Sequence, residues 1–156
     1  MSTRTSLNHL KPFTGKWLTT GQQYQSAVGP AAKITAVETY EWLPGDRFLI
    51  HRFDGLVGDE PAVCIEIIGR DAANEDYPVH TFYNNGVTAK WLLHERDGAW
   101  LLTGHWDIAG KLTDVRCTLV FSDSGEAMAG RWEHAVKNGS THWVPFWEVE
   151  ARRVRA

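Results

Sequence analysis

The sequence predicts an all-β chain of about ten strands, closed as an antiparallel up-and-down β-barrel with a short N-terminal helix. One observation is a series of tight-turn signals: Asn85-Gly86, Asp97-Gly98, Ala109-Gly110, a loop from Ser122 to Gly125, and Asn138-Gly139. Such pairs supply the positive φ angles of hairpin turns. A second is alternation between the turns. If each turn is a simple hairpin, His80, Trp91, Gly104, Val115, Trp132 and Pro145 share one rung, and Phe82, Ala89, Trp106, Thr113, His134 and Trp143 the next. The third is one-sidedness. That face is aromatic and apolar, while the other carries Lys90, His94, His105, Asp114, Arg116, Arg131, Glu133, Glu148, Glu150 and Arg152. A long meander with one apolar face is satisfied by rolling up on itself.

The elements follow in order. Ser6 is placed to cap a short helix carrying Leu7 and Leu10 and ending before Pro12. Phe13-Thr-Gly-Lys-Trp17 opens a first strand to about Val28, and strands are then expected from Ile34 to Leu43, Phe48 to Phe53, Ala62 to Gly69, Tyr77 to Asn84 and Val87 to Glu95. Four more run from Ala99 to Ile108, Leu112 to Phe121, Ala127 to Val136 and Thr141 to Val154. Gly29-Pro30 and Pro44-Gly45-Asp46 break the chain between strands. Carrying the register upstream places Glu38, Tyr40, Trp42, Phe48, Ile50, Arg52, Val63, Ile65 and Ile67 on the inward face.

Residues 1–156 read as a single domain, long enough to bury a core. Net charge is −3, which gives no electrostatic ground for nucleic acid or an anionic membrane. No stretch is apolar enough to span a bilayer as a helix, and Met1 to Lys11 lacks a signal-peptide core. In this register Cys64 points outward and Cys117 inward, which argues against a disulfide and for a reducing, cytoplasmic setting. Seven histidines form no zinc-type spacing, so neither metal nor cofactor is expected. His51, His94, His105 and His142 fall on the solvent face. Val120, Val144 and Phe146 there offer a homodimer contact or stand singly.

The opening Phe13-Thr-Gly15-Lys-Trp17 resembles the Gly-x-Trp start of the calycin superfamily of lipocalins and fatty-acid-binding proteins. The resemblance implies that Trp17 lies at the closed base of the barrel, under a basic residue of the last strand, Arg152 or Arg153. Gly45-Asp-Arg-Phe-Leu49 and Gly69-Arg-Asp71 extend the likeness to an uncharacterised family of bacterial single-domain barrels. Nitrobindin-like haem barrels are also calycins with a late axial histidine, but the pattern around His134 and His142 does not match theirs.

The inward rings of Tyr40, Phe82, Trp91, Trp106, Trp132 and Trp143 are suited to enclosing a small hydrophobic or aromatic molecule. An inward Glu38–Arg52 pair would orient it. The expected ligand site spans His134, Tyr40, Trp106 and Trp143 and reaches towards Glu38 and Arg52. The same rings could instead fill a solid core. An alternative is a cofactor-free cavity enzyme doing acid–base chemistry, an isomerase, cyclase, hydratase or other lyase, with His134 and His80 as its catalytic groups. Haem binding ranks third. Fold alone does not choose among these.

Overall fold

The computed structural model describes residues 8–71 and 75–155. It is a closed antiparallel barrel of ten strands, each hydrogen-bonded to its neighbours in sequence, with β1 and β10 closing the ring. The strands are β1 (Gly15–Gln23), β2 (Ala32–Trp42), β3 (Leu49–Val57), β4 (Glu60–Ile68), β5 (Tyr77–Tyr83), β6 (Thr88–Arg96), β7 (Ala99–Ile108), β8 (Lys111–Phe121), β9 (Ala127–Asn138) and β10 (Ser140–Arg153). A 3₁₀ turn, Asn8–Phe13, precedes them and runs through Pro12 rather than ending before it. Ser6 and Leu7 lie outside the described residues.

That turn plugs one end. Leu10 and Phe13 are fully buried, and Phe13 packs its ring edge against Trp100 and Phe121. Trp17 lies beneath it, with its indole N–H donating to the Phe13 carbonyl at 2.8 Å. The Arg153 guanidinium covers the Trp17 ring at 4.2 Å and also donates to Pro12 O. This is the base arrangement implied by the calycin resemblance, with Arg153 rather than Arg152 as the basic residue. The glycine of Gly-x-Trp has a reason too. Gly15 has φ +118°, and a Cβ there would lie 3.0 Å from Arg153 Nη1.

The inward face agrees with expectation on β2 and on β6 to β8, where Tyr40, Trp91, Leu93, Leu102, Val115 and Cys117 are buried. Between them, β3, β4 and β5 are turned by one residue. Two loops cause this. Pro44 to Arg47 is a four-residue loop closed by Leu43 N–H donating to Phe48 O, so Trp42 pairs with Leu49 instead of Phe48. At Asn84-Asn85-Gly86 the loop has three residues, closed by Tyr83 N–H on Val87 O, with Gly86 at φ +88°. One residue of loop length reverses every side chain up to the next such change.

The whole block therefore inverts. Arg52, His80 and Phe82 are exposed on the outer face, and Phe48, Ile50, Val63, Ile65 and Ile67 leave the inward set. Leu49, His51, Phe53, Cys64, Glu66, Ile68, Val79, Thr81 and Tyr83 replace them. Both free cysteines, Cys64 and Cys117, thus face inward, and the opposite-faces argument about them fails.

β10 carries the other correction. Its register shifts between Pro145 and Trp147, a bulge across from Trp132 and Glu133. Trp147 faces inward as expected, but Trp143 pairs with Ala135 and turns outward, stacking against the Arg116 guanidinium at 4.0 Å. Phe146, expected outside, is completely buried. Val144 sits opposite inward His134, so of the three residues offered for a dimer contact only Val120 is exposed.

Gly104 is required by space. A Cβ there would fall 2.5 Å from the Trp91 ring and 2.8 Å from Lys90 O. Gly104→Ala is expected to cost about 1–3 kcal/mol through forced repacking of Trp91, read as a lower urea midpoint with unchanged m-value.

Candidate functional site

The interior has three levels. At the plugged end lie Trp17, Phe13 and Tyr40, whose rings pack together (Phe13–Tyr40 centroids 5.4 Å). Tyr40 thus belongs to the base and not to the level of His134.

The middle level is polar. His51 Nε2 is 2.8 Å from Glu38 Oε1, and His51 Nδ1 is 2.7 Å from Glu66 Oε1. Thr19 Oγ1 donates to Glu38 Oε2, and Thr81 Oγ1 donates to Glu66 Oε2 at 2.6 Å. Tyr40 lies flat on the imidazole, centroids 4.0 Å apart. The chain crosses the barrel five times to assemble this belt, from β1 to β5. Burial alone would lower the His51 pKa, but the hydrogen bonds and charges of Glu38 and Glu66 outweigh it and raise the value to about 9. Burial likewise pushes the Glu66 carboxyl up, and the bonds from His51 and Thr81 more than reverse it. Burial holds the Tyr40 hydroxyl and the Cys117 thiol well above their usual ranges, so both stay neutral.

Sequence reasoning placed Glu38 inside but gave it Arg52 as partner. The true partner is His51, one residue away, which had been assigned to solvent. Glu66 and Thr81 were missed for the same reason. Period-two alternation fits Arg52-in and His51-in equally well. The signal that separates them is charge: one choice buries an arginine among isoleucines, the other an imidazole between two carboxylates.

The third level, towards the unplugged mouth, is aromatic. Trp106 and Trp132 are parallel at 5.5 Å, and Trp91 stands edge-on to both at 5.5 and 5.7 Å. Phe146 leans on Trp106 and on His134 at 5.7 and 5.9 Å. Trp106 Nε1 donates to the Tyr83 hydroxyl at 3.0 Å. Trp147 Nε1 donates to Gln23 Oε1 at 2.7 Å. Among the described residues, two buried side-chain polar atoms have no hydrogen-bond partner: Trp91 Nε1 and His134 Nε2. Both belong to this cluster. An orphaned polar atom in a native interior calls for a specific explanation.

The wall thins at the same height. The β6–β7 ladder ends at Trp91↔Gly104 and the β8–β9 ladder at Val115↔His134. The tip of the β7–β8 hairpin, His105 to Asp114, is laddered to neither neighbour. Trp106 and buried Ile108 turn it inward over the mouth.

The sequence reading expected a hollow around His134. Ring contacts occupy that space, and a hollow of about 570 Å³ opens instead on the outer face beside His80, Lys90, His105 and Trp143. His80 and His134 therefore lie on opposite faces of the wall and share no site. Of the expected ligand-binding set, the structure brings together Trp91, Trp106, Trp132 and His134. It sets Glu38 and Tyr40 deeper in the barrel, and Arg52, Phe82 and Trp143 outside. Among the described residues, no group of three or more ligating side chains converges as for a metal ion, and no helix is long and apolar enough to cross a membrane.

A family profile described as "Protein of unknown function (DUF1579)" matches residues 3–141. The chain belongs to the DUF1579 family. No curated protein matches this DUF1579 chain. Among solved structures it is similar to an S-type phycobiliprotein lyase, CPES, from Guillardia theta. The TM-score is 0.63 at 8% identity, over 100% of this chain and 99% of the lyase. At that identity the likeness is one of fold: a barrel of the same architecture from end to end.

Proposed function

We propose that this DUF1579 barrel binds a small hydrophobic or aromatic molecule at its mouth, against Trp91, Trp106 and Trp132, with His134 as the polar contact. The observation that carries this is the pair of unpartnered atoms, Trp91 Nε1 and His134 Nε2, inside an otherwise satisfied aromatic cluster. Leaving a buried donor or acceptor unpaired costs about 1–3 kcal/mol, and a guest that bonds to either recovers it. Access is over the β7–β8 tip, whose Trp106 is half-buried and moves without breaking a ladder to β6 or β9. The Arg153-covered Trp17 supports placing the family among the calycins. Two inward, unpaired thiols support a cytoplasmic setting.

The free His134 Nε2 also favours the second reading, a cofactor-free acid–base enzyme with His134 as its proton-transfer group and His80 excluded by its position. Binding comes first in either case. With 1-aminoanthracene as a neutral aromatic probe, followed by energy transfer from tryptophan, His134→Ala should weaken affinity about fivefold or more, the worth of one hydrogen bond. His94→Ala, on the outer face of β6 beside buried Leu93, should match wild type; His142, expected on the solvent face, is exposed but shares the inward parity of Val144 and is no such control. Identical behaviour of the two variants removes His134 from the site. Native mass spectrometry of protein from its source then identifies the natural guest.

A further inference from the structure

The 570 Å³ hollow on the outer face is within the size range of small-ligand pockets, roughly 300–1,000 Å³. It opens on the outer side of β5 to β8, where the β6–β7 and β8–β9 ladders end, and reaches Val79, Trp91, Gly104 and Val115 at its floor. Its chemistry is sorted by position. On β5 and β6, His80 and Lys90 are direct cross-strand partners. Neither has an ion pair or a side-chain hydrogen bond among the described residues. Lys90 is thus a cation with no carboxylate partner, and the imidazole opposite it is free to hydrogen-bond a guest. On β7 and β8 the charges are already matched: His105 Nδ1 is 2.8 Å from Asp114 Oδ1, whose other oxygen is 3.3 Å from Lys137 Nζ. The rest is apolar. Leu92 is 45% exposed beside Pro78, and Trp143, swung outward by the β10 bulge, closes the far side. An aromatic wall faces an unpaired lysine and an imidazole across an apolar floor.

We infer that this groove is a second small-molecule site, distinct from the barrel mouth, for a planar aromatic monoanion whose ring lies between Leu92 and Trp143 and whose charged group meets Lys90 and His80. The volume admits two or three fused rings. A neutral guest would leave Lys90 without a counter-charge, and a compact, highly charged one would leave Leu92 and Trp143 uncovered.

The test uses 2-naphthoate and its neutral isostere naphthalene-2-carboxamide, titrated by amide and indole NMR shifts. Wild type should bind naphthoate tenfold or more tightly than the carboxamide, as a charge-assisted hydrogen bond gives. The shifts should centre on Leu92, Thr103 and His105. Lys90→Gln should abolish most of that preference. Trp143→Ala should weaken both ligands alike, and His134→Ala should leave naphthoate affinity unchanged. Equal affinity for acid and amide, a preference that survives Lys90→Gln, or no naphthoate binding at about 10 mM would each overturn the site. Shifts confined to the Trp106 and Trp132 indoles, neither of which lines the groove, would also overturn it, while leaving the mouth site standing.

Discussion

Replacing His51 with alanine is expected to cost about 3–5 kcal/mol of folding stability, because it leaves the Glu38 and Glu66 carboxyls facing one another with their shared donor gone. The pH dependence carries the same signature. A folded pKa of about 9, against the ordinary 6.5, means the imidazolium contributes its stabilisation in full below about pH 6.5 and loses it as pH rises through 9. The amount lost over that window is roughly 3 kcal/mol. Glu66 acts in the opposite sense. Its lowered pKa contributes stability above the ordinary carboxylate value and loses it as pH falls through the folded one. Wild type should therefore be most stable on the acid side of neutral, and its urea midpoint should fall between pH 6.5 and 9. His51→Ala should show no such fall. A wild-type curve flat across that window would show that His51 is neutral in the fold.

Removing the Trp17 ring should be as damaging for a different reason. Trp17 has no exposed surface, lies under Arg153 and donates to the Phe13 carbonyl. Trp17→Ala opens a cavity at the plug and orphans that carbonyl, a loss of about 3–5 kcal/mol. Urea unfolding should show it as a lower midpoint. The affinity of the remaining folded protein for 1-aminoanthracene should not change, because the base lies at the opposite end of the barrel from Trp106 and His134. A parallel loss of affinity would mean that the plug and mouth are coupled.

The architecture was legible in the sequence because glycine turns and one-sided alternation are local signals. Ten strands and their order follow from them, while the closed Trp17 base was implied only by the calycin resemblance. Which face of a strand looks inward is inherited from its neighbour through the loop between them. Pro44 to Arg47 and Asn84 to Gly86 each differ by one residue from the assumed turn, and their two parity changes cancel at β6. The error was therefore confined to β3, β4 and β5, while Trp91, Trp106 and Trp132 came out correctly placed. The Ser122–Gly125 loop shifted the pairing by two, bringing His134 rather than Trp132 opposite Val115 without changing either facing. The β10 bulge carries no such turn signature, and Trp143 was misplaced by it. The polar belt was lost with the inverted block: from Glu38 alone, nothing nearby in sequence identifies His51, Glu66 and Thr81 as its company.

The incomplete ladders make the barrel mechanically uneven. Around most of the ring, separating two strands means breaking a row of cooperative main-chain bonds. At the corner between His105 and Asp114 it means parting indole faces and releasing two side-chain ties, Trp106 to Tyr83 and the Asp114–Lys137 ion pair. The corner resembles a zip left undone at one end. Hydrogen exchange is therefore expected to reach the amides from His105 to Asp114 before those of the belt and plug.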